Sequence, residues 1–289
     1  MNKGVNFLKY LTIHGERLSQ IGLGAADLGY RPEEEAAAIR YGINHGINVI
    51  DTAESYGGSE AVIGQALTTL PRDQVFLVSK VLPSHATISG EAASLKASLK
   101  RLQTDYLDLY LLHWRANANL AEMVEGMQAL QKEGLIRYWG VSNFDLHDME
   151  DLMKVPGGQE VFANEDLYNL TSRGVEYDLM PWQEKHQIGF MGYSPFHAVG
   201  WRYLRPTATL NQIANNHSAT AYQVRLAWIT RNNNVLTLPK ASSVGHVKDN
   251  IAAMEVTLTP EELALIDRDY PAPTHAEPLE KIWSSKIND

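Results

Sequence analysis

Eight short apolar runs rich in Val, Ile, Leu and Tyr recur along this chain, and each is followed by a stretch with helical patterning. The runs are Leu18–Gly22, Asn48–Asp51, Val75–Val81, Asp105–His113, Ile136–Ser142, Glu160–Asn164, Gly189–Ser194 and Val235–Pro239. The helical stretches are Pro32–His45, Ser59–Leu70, Gly90–Leu102, Leu120–Lys132, Leu146–Leu152, Tyr177–His186, Ala219–Arg231 and Val244–Met254. Continuous apolar runs mark strands buried on both faces, and a helix after each strand supplies the crossover that parallel pairing needs. Pro32 suits a first helical turn, and Gly46 and Gly134 suit helix C-caps. Eight such units in a chain of 289 residues predict a closed (β/α)8 TIM barrel, one α/β domain over residues 1–289. An open doubly wound sheet is the second choice. Residues 1–17 read as an N-terminal β-hairpin placed to close the barrel bottom, and the proline-bearing tail from about residue 271 reads as an extended loop.

Composition narrows the function classes. Lys plus Arg is 25 and Asp plus Glu 34, a net charge of −9, which opposes broad binding to nucleic acid. The absence of cysteine excludes disulfides, zinc-thiolate and iron–sulfur sites and thiol nucleophiles. The ten histidines show no H-x-x-x-H spacing, so no metal is expected. No apolar run is long enough for a secretory signal or a membrane span, which points to the cytoplasm. The segment TLNQIANNHSATAYQVRLAWI has a helix-turn-helix periodicity, but without a basic surface it reads as a pair of barrel helices.

In barrels of this kind the chemistry gathers at the C-terminal ends of the strands. Asp51, Lys80 and His113 stand at the ends of three successive predicted strands. Tyr56 follows Asp51 by five residues in the Gly-rich stretch DTAESYGGSE. A polar residue ending one strand is most often its exit into solvent. Three from adjacent strands, with a tyrosine beside them, converge in a barrel without any coincidence of loops. Gly22-Leu-Gly24 is not a Rossmann fingerprint, because Asp27 stands where the third glycine belongs.

The stretches IDTAESYGGSEAVIGQAL, FLVSKV, DYLDLYLLHW, GVSNF, GYSPF and LPKASSVGHVKDN resemble the aldo-keto reductase superfamily, over about residues 18 to 268, with the methylglyoxal-reductase-like bacterial members nearest. The resemblance implies reduction of aldehydes or ketones by NADPH, with a catalytic tetrad of Asp51, Tyr56, Lys80 and His113. It places Ser142, Asn143 and Glu165 around the nicotinamide carboxamide, Tyr193 on the ring face, and Ser194 at the pyrophosphate. It places Lys240, Ser242, Ser243, His246 and Asn250 at the adenosine phosphate, with Ser243 capping the helix that follows. Trp114 with His113 would face the substrate, and Phe196, Trp201 and Trp283 are further wall candidates. Monomers are common in that family.

The chemistry agrees with the name. Carbonyl reduction needs a proton for the developing alkoxide. A phenol supplies it, a neighbouring ammonium lowers the pKa of that phenol, and a carboxylate holds the ammonium in place. An imidazole orients the carbonyl oxygen. No side chain provides hydride, so a nicotinamide is required. Several positions depart from the family pattern. His246 stands where many members have Arg, which relaxes the preference for NADPH and leaves NADH as a weaker cofactor. Ala241 replaces a frequent Ser, and Ala25–Ala26 replaces a Thr-Trp pair, widening the pocket. Glu165 replaces the usual Gln and sets a carboxyl beside a ring that becomes positive on oxidation. Two other readings stay open: a Schiff-base aldolase using Lys80, and a non-enzymatic cofactor-sensing subunit of the same fold.

Overall fold

The computed structural model describes residues 8–283, and of Ala198 and Trp201 the backbone alone. Strands β1 (Tyr10–Ile13) and β2 (Glu16–Ser19) form an antiparallel hairpin. The eight parallel strands that follow are β3 (Leu23–Gly24), β4 (Val49–Asp51), β5 (Phe76–Val81), β6 (Leu107–Leu112), β7 (Ile136–Ser142), β8 (Ala163–Leu167), β9 (Gly189–Tyr193) and, after a small pair β10 (His197–Ala198) and β11 (Arg202–Tyr203), β12 (Val235–Leu238). Each of the eight pairs with the next in chain order. Bridges from Ile21 to Thr237 and from Gly24 to Lys240 join the first to the last, closing the barrel. A Cβ at Gly24 would lie 2.7 Å from the Leu238 carbonyl oxygen, so the close approach at this seam requires glycine there.

Side chains alternate in and out along each strand, and the inward set organises the molecule. Val49, Phe76, Val78, Leu109, Leu111, Ala163, Met191 and Leu236 fill the lumen as one apolar cluster, with Leu11, Ile13 and Leu18 of the hairpin packed beneath them. The outward set, including Leu77, Val81 and Leu112, packs against the helices in a second cluster. The hairpin therefore plugs the N-terminal end of the barrel. Gly189 gives Ile13 its room, and His14 lies against Phe162 with ring centroids 5.2 Å apart.

Most boundaries fall within two residues of the sequence reading, and the larger departures are these. The run Leu18–Gly22 is divided: its first two residues finish the hairpin, which occupies residues 10–19, and the first barrel strand starts at Leu23. The run Glu160–Asn164 lies three residues too early, because Gly158–Glu160 forms a 3-10 turn and the strand is Ala163–Leu167. Glu165 thus sits inside a strand, facing the lumen. Helices Ala208–Asn216 and Ala221–Ile229 are the pair read in TLNQIANNHSATAYQVRLAWI, and Pro260–Asp269 stands outside every helical stretch named from the sequence. The tail is without helix or strand through residue 283, and residues 1–7 and 284–289, which the hairpin and tail readings included, lie outside the described residues.

Candidate active site

The inward alternation that builds the apolar layers continues upward into polar residues. Val49 is followed by Asp51 on the same face, Phe76 and Val78 by Lys80, Leu109 and Leu111 by His113, Ala163 by Glu165, and Met191 by Tyr193. The last inward layer of the barrel is thus built of titratable groups. Tyr56 comes from the turn between β4 and the helix Ser59–Leu67.

Lys80 is fully buried. Its Nζ donates to Asp51 Oδ2 at 2.5 Å and to the Thr52 carbonyl at 3.0 Å, and it lies 3.2 Å from Glu165 Oε2. Burial opposes its charge, but the facing carboxylates of Asp51 and Glu165 prevail and hold it above the usual lysine value. Burial also raises both carboxyls. Asp51 is drawn back by Lys80, whereas Glu165 is raised further by the charge of Asp51 and stands well above the carboxylate range.

Tyr56 Oη lies 3.4 Å from His113 Nε2, and the rings meet edge to face at 5.6 Å between centroids. Lys80 Nζ is 5.4 Å from the centre of the tyrosine ring. Lys80 pulls the phenol down, as expected from the sequence. Burial outweighs it, and Asp51, Glu165 and Asp27 add to burial, so the net displacement is upward and Tyr56 keeps its proton. Burial and the charge of Lys80 push the His113 imidazole down to about 3, so the ring is neutral near pH 7.

Around this group runs a network of fixed hydrogen bonds. Asn143 Nδ2 donates to the His113 carbonyl (3.0 Å) and to Ser142 Oγ (2.9 Å), and Ser142 Oγ donates to the Glu165 carbonyl (2.7 Å). Tyr193 Oη donates to Asn143 Oδ1 at 2.8 Å and accepts from the Ile282 N–H at 3.4 Å. Asn143 (φ 58°) and Ser194 (φ 52°) are both left-handed, a conformation that few non-glycine residues adopt and that gathers at functional rims.

The polar layer opens into a cavity of about 820 Å³. Asp51, Tyr56, His113, Trp114, Ser142, Asn143, Glu165, Tyr193, Ser194, Phe196, Lys240, Ser242, His246, Asn250 and Trp283 all line it. Lys80 does not; it stands behind Tyr56 and Asp51. Ser243 does not either, because its hydroxyl is engaged at the start of its own helix, Val244–Ala252, accepting from the His246 N–H. Trp114 and Trp283 face each other at 5.6 Å, so the tail supplies part of the wall. Asp27, His197, Tyr203, Thr220 and Tyr222 also line the cavity and were not read from the sequence as site residues. Four of them lie between β9 and the helix Ala221–Ile229 or at that helix's start, where the sequence shows helices but nothing that marks these side chains as cavity-lining. Asp27 was visible as the break in the glycine motif; its carbonyl accepts from Lys240 Nζ at 3.3 Å, linking two loops across the cavity mouth. Among the described residues no cluster of His, Asp or Glu is arranged to hold a metal ion.

Residues 20–270 match the Aldo/keto reductase family. The chain belongs to this family. It is 47% identical over 252 residues to the methylglyoxal reductase YeaE of Escherichia coli, covering 86% of this chain and 88% of that protein. It is 32% identical to the methylglyoxal reductase DkgA of Salmonella typhimurium over 256 residues, 87% of this chain and 90% of that one. Two aldo-keto reductase structures from Klebsiella pneumoniae superpose closely. One, in complex with NADPH, has a TM-score of 0.90 at 44% identity and covers 95% of this chain and 99% of that chain. The other, with NADP and acetate, has a TM-score of 0.88 at 42% identity and covers 94% and 99%.

Proposed function

We propose that this aldo/keto reductase reduces small aldehydes and ketones to alcohols with NADPH, with methylglyoxal among its substrates. The observation that carries the reading is the meeting of Tyr56 and His113 on one cavity wall, a protonated phenol beside a neutral imidazole, with the Lys80–Asp51 ion pair directly behind them. The names of the Escherichia coli and Salmonella relatives support the substrate, and the nucleotides in the Klebsiella structures support the cofactor.

NADPH supplies the hydride when bound, since no side chain can. The residues present fit it. Asn250 Nδ2 is a buried donor at the cavity without a partner, suited to an acceptor atom of the adenine end. The capped N-terminus of Val244–Ala252, with Lys240 and Ser242 beside it, favours phosphate. Ser243 acts by fixing where that helix starts. His246, exposed on its first turn and lining the cavity, would meet the 2′-phosphate. Ser142, Asn143 and Glu165 would hold the carboxamide, Tyr193 would lie on the ring face and Ser194 would hold the pyrophosphate.

The carbonyl oxygen sits between Tyr56 Oη and His113 Nε2 and accepts from both. Tyr56 gives its proton to that oxygen as negative charge grows there, and neutral His113 stabilises the same charge by donating. Lys80 balances the phenolate left behind, and Asp51 keeps Lys80 in place. Trp114 and Trp283 bound the substrate side. A Schiff-base aldolase would need Lys80 as a free amine, whereas here it is a buried ammonium pinned by two carboxyl groups. The proposal extends to a monomer acting in the cytoplasm, for which elution at 32.2 kDa tests the oligomeric state. No helix among the described residues is long and apolar enough to cross a membrane. The deciding experiment follows the near-ultraviolet absorbance of NADPH with methylglyoxal and a panel of small carbonyls. Loss of absorbance that depends on the carbonyl is expected, and no oxidation with any of them rejects the reading.

A further inference from the structure

Two carboxyl groups and one ammonium share a buried space at the top of the lumen, with both carboxyls on the cavity lining. Asp51 and Lys80 account for each other at 2.5 Å. Glu165 Oε2 lies 3.2 Å from the same Nζ without a well-aligned hydrogen bond, and its carboxyl also meets that of Asp51, although it is buried and lines the cavity. With all three ionised, the cluster carries an unbalanced negative charge away from water, the costly case for a buried site. One proton makes it neutral. Asp51 holds the shorter contact to Lys80, so the proton rests on Glu165. The other titratable groups around Glu165 are Tyr56, from the turn after β4, and Tyr193, on β9; both are driven upward and stay uncharged.

We propose that Glu165 is a neutral carboxylic acid in the free enzyme and with NADPH bound, and that it loses its proton to solvent when the positively charged ring of NADP⁺ occupies the cavity. This rests on the placement of Glu165 beside the nicotinamide. The bond that breaks is the O–H of the Glu165 carboxyl, whose electron pair stays on the carboxylate and faces the cation. Carbonyl reduction takes one hydride from the cofactor and one proton through Tyr56, which solvent restores; the separate loss of the Glu165 proton to solvent then leaves the NADP⁺ complex one proton short of the NADPH complex. A glutamine in this place could not do this, because an amide has no proton to lose near neutral pH. Glu165 is therefore a positioning residue that couples the oxidation state of the cofactor to proton binding.

The test counts protons. NADP⁺ and NADPH are added separately to the intact enzyme in weakly buffered solution near pH 7 with an indicator dye. About one proton is expected to be released per NADP⁺ bound and close to none per NADPH. The ratio of the NADP⁺ to the NADPH dissociation constant should fall by up to about tenfold per pH unit as pH rises. Ionisation of the 2′-phosphate is common to both nucleotides and cancels in that ratio. In Glu165→Gln both the excess proton release and the pH dependence of the ratio should vanish while NADPH still binds. Where that variant fails to fold, infrared difference spectra of the wild type decide. The carbonyl band of a protonated carboxylic acid should disappear on adding NADP⁺ and remain on adding NADPH. Equal proton counts for the two nucleotides, a difference that survives in Glu165→Gln, or a band that persists with NADP⁺ overturns the inference. Failure of both nucleotides to bind overturns the functional reading itself.

Discussion

Tyr56 sits between opposing fields. Burial and the carboxyls of Asp51, Glu165 and Asp27 hold its proton on, and Lys80 pulls the other way. In the proposed reaction a phenol so placed lets go of its proton only when charge builds on its neighbour. Tyr56→Phe removes that proton and little else, so carbonyl reduction should fall by about 10²–10⁴-fold, with NADPH affinity nearly unchanged in a fluorescence titration. Near-normal turnover would take Tyr56 out of the mechanism. His246 offers an imidazole where the family pattern has a two-pronged guanidinium. His246→Arg should tighten NADPH by roughly tenfold more than NADH, as a charge-assisted contact worth about 1.5–3 kcal/mol allows. Equal changes for both nucleotides, measured by parallel titration, would show that residue 246 does not meet the 2′-phosphate. At this scale Asp51, Lys80 and His113 were legible because each follows an apolar run at the same inward phase. The contact between Lys80 and Glu165 was not, since it crosses the lumen from β5 to β8 and exists only once the barrel closes.

The helix Ile88–Leu102 carries an anomaly of its own. Thr87 caps it by accepting from the Gly90 N–H, and Gln103 ends it in a left-handed turn, both ordinary devices. Glu91, however, is fully buried with neither carboxyl oxygen partnered, against Gly126 of the helix Leu120–Lys132. Burial, helped by the charge of Glu122, pushes this carboxyl up to about 9 from the ordinary 4.5. The folded value lies above the unfolded one, so the folded state keeps a proton that the unfolded state loses. Stability therefore falls as pH rises through that window. Glu91→Gln removes the titration. Its thermal midpoint should exceed the wild type by several degrees at about pH 8 and by little at about pH 5, a difference on the order of 2 kcal/mol. An advantage that does not change with pH would mean that Glu91 is ionised in the fold. Seven of the eight barrel strands were legible within three residues or fewer, because burial on both faces gives each a continuous apolar signature. The exception is β3, whose two residues are too short to carry a pattern beside the hairpin strand ahead of it.

Across the whole molecule the two ends of the barrel have different tasks. The hairpin closes one end with apolar side chains, and the other end holds the polar layer and the cavity. Ile13→Ala removes a buried plug residue packed against Gly189, and should cost about 2–4 kcal/mol of unfolding free energy. The kcat/KM of the protein that remains folded should stay within about twofold, because the substituted atoms lie below the apolar layers and away from Tyr56. A large loss of activity at unchanged stability, measured by denaturant titration beside steady-state kinetics, would show that the two ends are coupled.

The fold class and most of the side chains that gather at the strand ends were written into local order along the chain. Periodicity sets which residues share a face, and strand ends set which of them reach the rim; both are short-range properties that survive in one dimension. Proton occupancy was not. Glu165 reads in the sequence only as a carboxyl, and its upward displacement arises because burial and closure set it beside Asp51. Tyr56 likewise reads as a phenol pulled down by a lysine, until burial and three carboxyl groups outweigh that pull. The walls of the cavity between β9 and the helix Ala221–Ile229, and the meeting of Trp283 with Trp114, join segments far apart in the chain. Such contacts follow from packing in three dimensions, where desolvation and distance set the energies.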